Sequence, residues 1–310
     1  KMDKYINRFG PWLIVASTLL LWEACVLIFA IPKFVLPAPS AIIESLAKWA
    51  PVIAIHAWQT LFTTLIGFVL AVLGGLGIGI AVGWSTLLYR ALYPLLIAFN
   101  SVPKVAIVPI LVIWFGIGTP PAIITAFMLA FFPIVVNVAA GLATVEPELE
   151  DVLRSLGASK KDILLKVGLP SSAPYFFAAL KVAITLALVG SVIAETIAAN
   201  KGIGYLMLNA SSRFDVPLVF AGLIVVAVMG IVIYEICAYI ERRTTGWATR
   251  GATSVVSSTG GGLAAAYSIA ALATAGASSE SDSSVATGFS RFATFSFRTR
   301  TSARIISKVA

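Results

Sequence analysis

Two charges inside apolar runs are the residues of this chain best placed to act on a solute. Lys104 follows Pro103 in a stretch that reads NSVPKVAIVP, with Asn100 and Ser101 just before it. An ammonium held in a low-dielectric layer attracts anions, and such intramembrane charges are costly and commonly functional. Proline removes one backbone N–H and frees a carbonyl, so a helix broken there can line a cavity. Glu195 is the second such charge, a candidate partner for Lys104 or a gate residue; with Asn100, Ser101 and Lys104 it makes up the candidate solute-contact group. The plainer alternative for Lys104 is pairing with a neighbouring acid, or reaching a polar interface along its stem. Lys181 is expected to reach an interface, Glu23 to face protein and Glu235 to touch an interface.

Bond-making chemistry finds no support. The sequence has no G-x-x-x-x-G-K-[ST] phosphate loop, no G-x-S-x-G and no H-E-x-x-H. Its single histidine, His56, has no obvious catalytic partner and is read as an interface residue. One His without a cysteine cluster makes no metal site. Cys25 and Cys237 lie inside apolar runs and are read as buried free thiols. The expectation is therefore a chain that is not an enzyme and binds no cofactor or metal of its own.

The elements that must position these residues are membrane helices. Of the 310 residues 59% are hydrophobic and 12% charged, with a mean hydropathy of +0.97. Soluble domains run at roughly 45–50% apolar and about 25% charged, so lipid is the solvent. The net charge of +8 does not point to nucleic acid, because Lys and Arg flank apolar runs rather than forming one basic face. Six segments are long enough for a hydrocarbon layer of ~30 Å, which takes about 20 helical residues. They are 11–31, 58–82, 92–113, 122–142, 174–197 and 216–240. Residues 41–60, with Trp49 and Trp58, show helical apolar spacing and fit a helix lying in the interface. Gly75, Gly79 and Gly83 form overlapping G-x-x-x-G units, read mainly as close helix packing within the chain, with a dimer seam as the alternative. After Arg250 the sequence turns to Ser, Ala, Thr and Gly, so residues 251–310 are expected to be a disordered tail beside a transmembrane domain of residues 1–250.

Charge sets the orientation. With the N-terminus in the cytoplasm, Lys1, Lys4, Arg8, Arg90, Arg154, Lys160, Lys161, Lys166, Arg242, Arg243 and Arg250 are inside, against Lys33, Lys48, Lys201 and Arg213 outside. That asymmetry puts both termini in the cytoplasm.

The cytoplasmic loop 146–170 carries the most information. Leu149, Val152, Leu153 and Leu156 fall at i, i+3, i+4 and i+7, one face of a short helix. Gly157 can end that helix in a left-handed conformation. Ser159 with Asp162 makes S-x-x-D, a start signal for a second helix, Lys160–Val167. Pro170 and Pro174 are expected to break it and open the next span. An ordered loop of this length is commonly functional. Its apolar stripe either packs back on the spans or inserts into a partner.

The same residues resemble a known signature. Binding-protein-dependent ABC importer permeases carry E-A-A, three residues, G, nine residues, I, any residue, L-P. Here Asp151-Val152-Leu153, Gly157 and Val167-Gly168-Leu169-Pro170 stand at that spacing, with Asp for Glu, Val-Leu for Ala-Ala and Val for Ile. Pro103-Lys104, Ala106, Pro109, Trp114–Gly118, Gly202–Leu206, Phe214–Gly222 and Glu241-Arg242-Arg243 are similar to the nitrate, sulfonate, taurine and bicarbonate permease group. The resemblance covers about residues 10–248. It implies an all-α type I importer permease fold of about six spans in the cytoplasmic (inner) membrane. It implies pairing, as a homodimer, around a translocation path, two docked ABC ATPase subunits that use ATP and Mg, and a periplasmic or lipoprotein substrate-binding protein. The coupling residues would be Leu149, Asp151, Val152, Leu153, Arg154, Ser155, Leu156, Gly157 and Ala158. Arg154 is a candidate partner for an ATPase carboxylate. The solute would be small and polar or anionic, with a neutral thiamine-precursor pyrimidine as the alternative. Two other classes stand beside it: a secondary transporter driven by an ion gradient, which would need mid-membrane acids and often an inverted repeat, and a membrane scaffold or assembly factor.

Overall fold

The computed structural model describes residues 2–143 and 147–244, and the side chains of all of these except residues 2–12, 86 and 147–150. They form one unit, and no strand occurs among them. The expected tail, residues 251–310, lies outside the described residues.

Eleven helices are described: α1 (Met2–Ile28), α2 (Pro39–Lys48), α3 (Ala50–Trp84), α4 (Thr86–Ser101), α5 (Val108–Phe115), α6 (Thr119–Leu142), α7 (Pro147–Ser155), α8 (Lys160–Ile163), α9 (Leu169–Ala198), α10 (Ile203–Ser212) and α11 (Val216–Thr244). Four helical segments are long and apolar enough to cross a membrane: α3, α6, α11 and the continuous stretch Lys160–Ala198. The pair α4 and α5 reaches that length only together, bent by 77°. The apolar part of α1, Leu13–Ile28, is shorter.

The core is α6 sandwiched between α3 and α9. Small residues make that approach possible. A Cβ added to Gly75 would lie 2.9 Å from Ile134, one on Gly79 2.8 Å from Val138, and one on Gly83 2.7 Å from Leu142. The G-x-x-x-G run of α3 is thus an intramolecular seam with α6, the first of its two sequence readings. In lipid, close van der Waals packing of this kind replaces the hydrophobic drive between helices. Ala126, Ala130, Ala183 and Ala187 extend the seam without exposure.

Three sequence expectations change. The interfacial segment 41–60 is not one helix: α2 ends at Lys48, and the remainder is the start of α3, which spans Ala50–Trp84 rather than 58–82. At 1.5 Å per residue α3 is about 52 Å long, more than a hydrocarbon layer. The span 92–113 is two helices joined by the one-turn 3-10 helix Lys104–Ile107, because Pro103 cannot donate and Val102 before it is extended. Pro170 and Pro174 do not break their helix. Pro170 sits in the first turn of α9, where its missing N–H costs nothing, and a wide π-type turn over Leu164–Gly168 links α8 to it. Pro174 lies inside α9.

Candidate functional site

The chain carries candidate residues at opposite ends of the α3–α6–α9 bundle. At the end where α3 finishes at Trp84 and α6 at Leu142, α7 and α8 form the loop. Schellman geometry closes α7: Ala158 N donates to Leu153 O at 3.0 Å, and Gly157 N donates to Arg154 O at 2.9 Å. Gly157 takes φ +86 there, a conformation other residues adopt only at a cost. Ser159 then caps α8, accepting from Asp162 N at 3.2 Å while its hydroxyl donates to Asp162 Oδ2 at 2.5 Å. Lys166 pairs with Asp162 at 3.3 Å. The Ser159 hydroxyl and, after it, Lys166 hold the Asp162 carboxyl below its ordinary value of 3.8.

The apolar residues of the loop divide. Beyond the stripe, Ile163 is buried and Leu164 packs on the bundle core. Val152 is 56% and Leu156 79% exposed. Leu153 and Ala158 are half-buried, Asp151, Arg154 and Ser155 exposed, and Leu149 is in α7 with its side chain outside the described residues. The stripe therefore does not fold back onto the spans as a whole, and α7 presents large apolar side chains outward.

Lys104 is buried at the helix break. Its Nζ donates to Asn100 O at 2.9 Å and to Asn100 Oδ1 at 2.8 Å. Asn100 and Ser101 are exposed, and the Ser101 hydroxyl donates to Ile97 O. Two neutral oxygens hold the ammonium, and no carboxylate does so among the described residues. Lys104 and Glu195 are thus not paired.

Glu195 is 1% exposed and belongs to a cluster that sequence reading missed. Oε2 accepts from Thr60 Oγ1 at 2.7 Å and Gly204 N at 3.2 Å. Oε1 accepts from Thr63 Oγ1 at 3.2 Å and Ser191 Oγ at 3.5 Å, and these two hydroxyls are bonded to each other. A cavity of about 260 Å³ adjoins the cluster, lined by Gln59, Thr63, Thr119, Glu195, Asn200 and Lys201 among others. His56, read from sequence as an interface residue, accepts from Gly202 N through Nδ1 at 3.0 Å. The available signal was Thr60, Thr63 and Thr64 spaced along one apolar helix.

Other charges find partners. Glu23 accepts from Ser40 N and Oγ, tying α1 to α2. Lys181 of α9 pairs with Glu241 of α11 at 2.7 Å, and Glu235 pairs with Arg242 at 3.1 Å. Cys25 and Cys237 are free and half-buried. No group of three or more His, Cys, Asp or Glu among the described residues could hold a metal ion.

Comparison with known proteins fits this architecture. The taurine transport system permease protein TauC of Escherichia coli is 31% identical over 75% of this chain and 87% of its own. The formylaminopyrimidine transport permease protein ThiX of Halalkalibacterium halodurans is 29% identical over 79% of this chain and 98% of its own. A probable ABC transporter permease protein of Haemophilus influenzae is 30% identical over 74% and 94%. In fold, the chain resembles a subunit from inward-facing structures of the MetNI methionine ABC transporter, with a TM-score of 0.57 at 19% identity over 63% of this chain and 97% of that one. Residues 72–246 match the model of binding-protein-dependent transport system inner membrane components, and the chain is a multi-pass membrane permease of that ABC importer family.

Proposed function

We propose that this chain forms the translocation path for a small polar or anionic solute and takes its energy from a separate ATPase gripped through α7. The single observation that carries this reading is the exposed apolar face of α7, Val152 and Leu156, set at a rigid glycine-closed corner. An exposed apolar knob fits a partner cleft, and the chain has no phosphate loop to bind ATP itself. The α7 end is then cytoplasmic, in line with the Lys and Arg asymmetry, and α10 faces the side from which a binding protein delivers solute. Two copies pair so that the α4–α5 break faces the path. Val152, Leu153, Leu156 and the Asp151–Arg154 charges make up the docking face, with Leu149 completing the stripe. The partner ATPase, not this chain, uses ATP and Mg.

The names of the relatives reported above, which concern taurine and formylaminopyrimidine, support a small solute. Lys104, whose partners among the described residues are neutral oxygens, favours an anion. Asn100 and Ser101 beside it are exposed at the break, where a solute passing between two copies would meet them.

Proteoliposomes carrying the permease, its ATPase and its binding protein test this. Leu156→Asp leaves insertion intact and reduces ATP-driven uptake at least tenfold, the scale of about 1.4 kcal/mol of lost coupling. Uptake at the parental rate sinks the assignment. Uptake that survives ATP depletion and collapses with an ionophore returns the secondary-transporter class. Lys104→Met lowers uptake of a sulfonate or nitrate and spares a neutral pyrimidine; equal effects on both would remove Lys104 from the path.

A further inference from the structure

The first turn of a helix leaves N–H groups without intrahelical partners. At α10 these come from three successive residues, Gly202, Ile203 and Gly204, and no residue of α10 caps them. Gly202 N donates to His56 Nδ1 at 3.0 Å, Ile203 N to Thr60 Oγ1 at 2.8 Å, and Gly204 N to Glu195 Oε2 at 3.2 Å. The three acceptors stand on two other helices, His56 and Thr60 one turn apart on α3, and Glu195 on α9. The helix start is therefore fastened to two spans by side chains.

The fit leaves no room for anything else between them. A Cβ on Gly202 would stand 2.2 Å from the Glu195 carboxyl carbon, and Gly202 also holds φ +117. A Cβ on Gly204 would stand 2.3 Å from Val192 O. A carboxyl oxygen accepts about two hydrogen bonds. Oε2 of Glu195 is filled by Thr60 and Gly204, and Oε1 faces the mutually bonded Thr63 and Ser191 hydroxyls at the border of the cavity. Past the latch, α10 is held differently: Ile203, Leu206 and Ala210 pack with Leu218 and Ala221 of α11. Polar bonds fasten the start of α10 to α3 and α9, and apolar packing holds its length against α11, with Ile42 of α2 and Ile53 of α3 in the same cluster.

We propose that Glu195, with Thr60 and His56, is a positioning latch that fixes α10 to α3 and α9 and thereby sets the wall of the adjoining cavity. The segment Ala199–Lys201, which lines that cavity, runs directly into the latched helix start. Releasing the latch lets α10 pivot on its α11 contact instead of detaching. The consequence for transport rests on the permease reading above; the geometry does not.

Two spin-label pairs test it in the full chain with Cys25 and Cys237 changed to Ser. Leu208→Cys with Trp58→Cys reports α10 against α3, and Leu208→Cys with Leu223→Cys reports α10 against α11; all three sites are exposed. Glu195→Ala and Thr60→Val broaden the first distance distribution and leave the second unchanged, and Thr60→Ser, which keeps the hydroxyl, restores the first. Uptake in the reconstituted system falls about tenfold in the broadened variants, the scale of one buried hydrogen bond lost. An unchanged first distribution in Glu195→Ala overturns the latch, as does equal broadening of both pairs. Lost uptake with both distributions unmoved overturns it too, and makes Glu195 a solute contact. Should Glu195→Ala not fold, the Thr60→Val and Thr60→Ser pair decides alone. A parental chain that transports nothing while the distances behave as stated refutes the permease reading and leaves the latch standing.

Discussion

The two ends of the α3–α6–α9 bundle solve opposite problems. At the α10 end the polar groups are turned inward: Glu195, Thr60, Thr63 and Ser191 are buried and bonded to one another or to backbone. At the α7 end the bonds that shape the loop are local, within Leu153–Ala158 and Ser159–Lys166, and apolar Val152 and Leu156 are exposed. The α10 end satisfies the Glu195 carboxyl within the chain. The α7 end carries no such cluster among the described residues and leaves Val152 and Leu156 uncovered. The difference teaches that the bundle fastens one end by buried polar bonds between helices and shapes the other by local caps, so that only the α7 end is left to a partner ATPase under the function proposed above.

The sharpest way to break this contrast is to place one methyl group at each end. Gly202→Ala drives a Cβ to 2.2 Å from the Glu195 carboxyl at positive φ, so the purified yield of folded permease collapses, measured by size-exclusion profile after extraction. Gly157→Ala also meets φ +86, but nothing lies within 4 Å of its Cβ. Its cost is the left-handed backbone alone, roughly 1–2 kcal/mol, and yield is retained. Equal losses at the two positions would erase the difference between the ends.

A middle-sized effect comes from the docking face. Leu156→Asp removes apolar contact from a residue 79% exposed, so thermal unfolding of the isolated permease stays within about 0.5 kcal/mol of the parent. Co-purification with the ATPase is lost. A stability drop of several kcal/mol would mean that Leu156 packs within the chain after all.

How much of this could be read beforehand differs by region for a physical reason. The α7–α8 loop was legible because its determinants are local: the i, i+3, i+4, i+7 stripe, Gly157 at the helix end, and Ser159 three residues before Asp162. Four of the six expected spans, those on α3, α6, α9 and α11, were legible in order, because apolar length is a property of one segment; the span 92–113 is a pair bent by 77°, and the apolar part of α1 is shorter than a span. The end of the interfacial segment and the start of α3 were not, since Trp49 separates two helices that share one apolar pattern. Pro170 misled because proline in a first helical turn looks the same in sequence as proline that ends a helix. The latch was invisible because its bonds join residues 132 to 146 positions apart, or meet across α9 and α10 through a glycine turn. Thr60 and Thr63 in an apolar run announce only a polar contact, not its partner.

The smallest effect sharpens the α7 end to single groups. Ser159→Ala removes the cap of α8, at a cost of about 1 kcal/mol, visible as faster exchange of the Asp162 and Ile163 amides. It also removes the first cause holding the Asp162 carboxyl down. A carboxyl depressed in the folded state stabilises that state above its unfolded value, and the contribution is lost as pH falls through the folded value. The side-chain carboxyl carbon of Asp162 therefore titrates below 3.8 in the parent and moves up toward that value in Ser159→Ala. Lys166→Met, which leaves the hydroxyl in place, moves it less. If Lys166→Met produces the larger shift, the ion pair rather than the cap holds the corner on which α7 stands, and added salt would then loosen the loop where the cap would have resisted it.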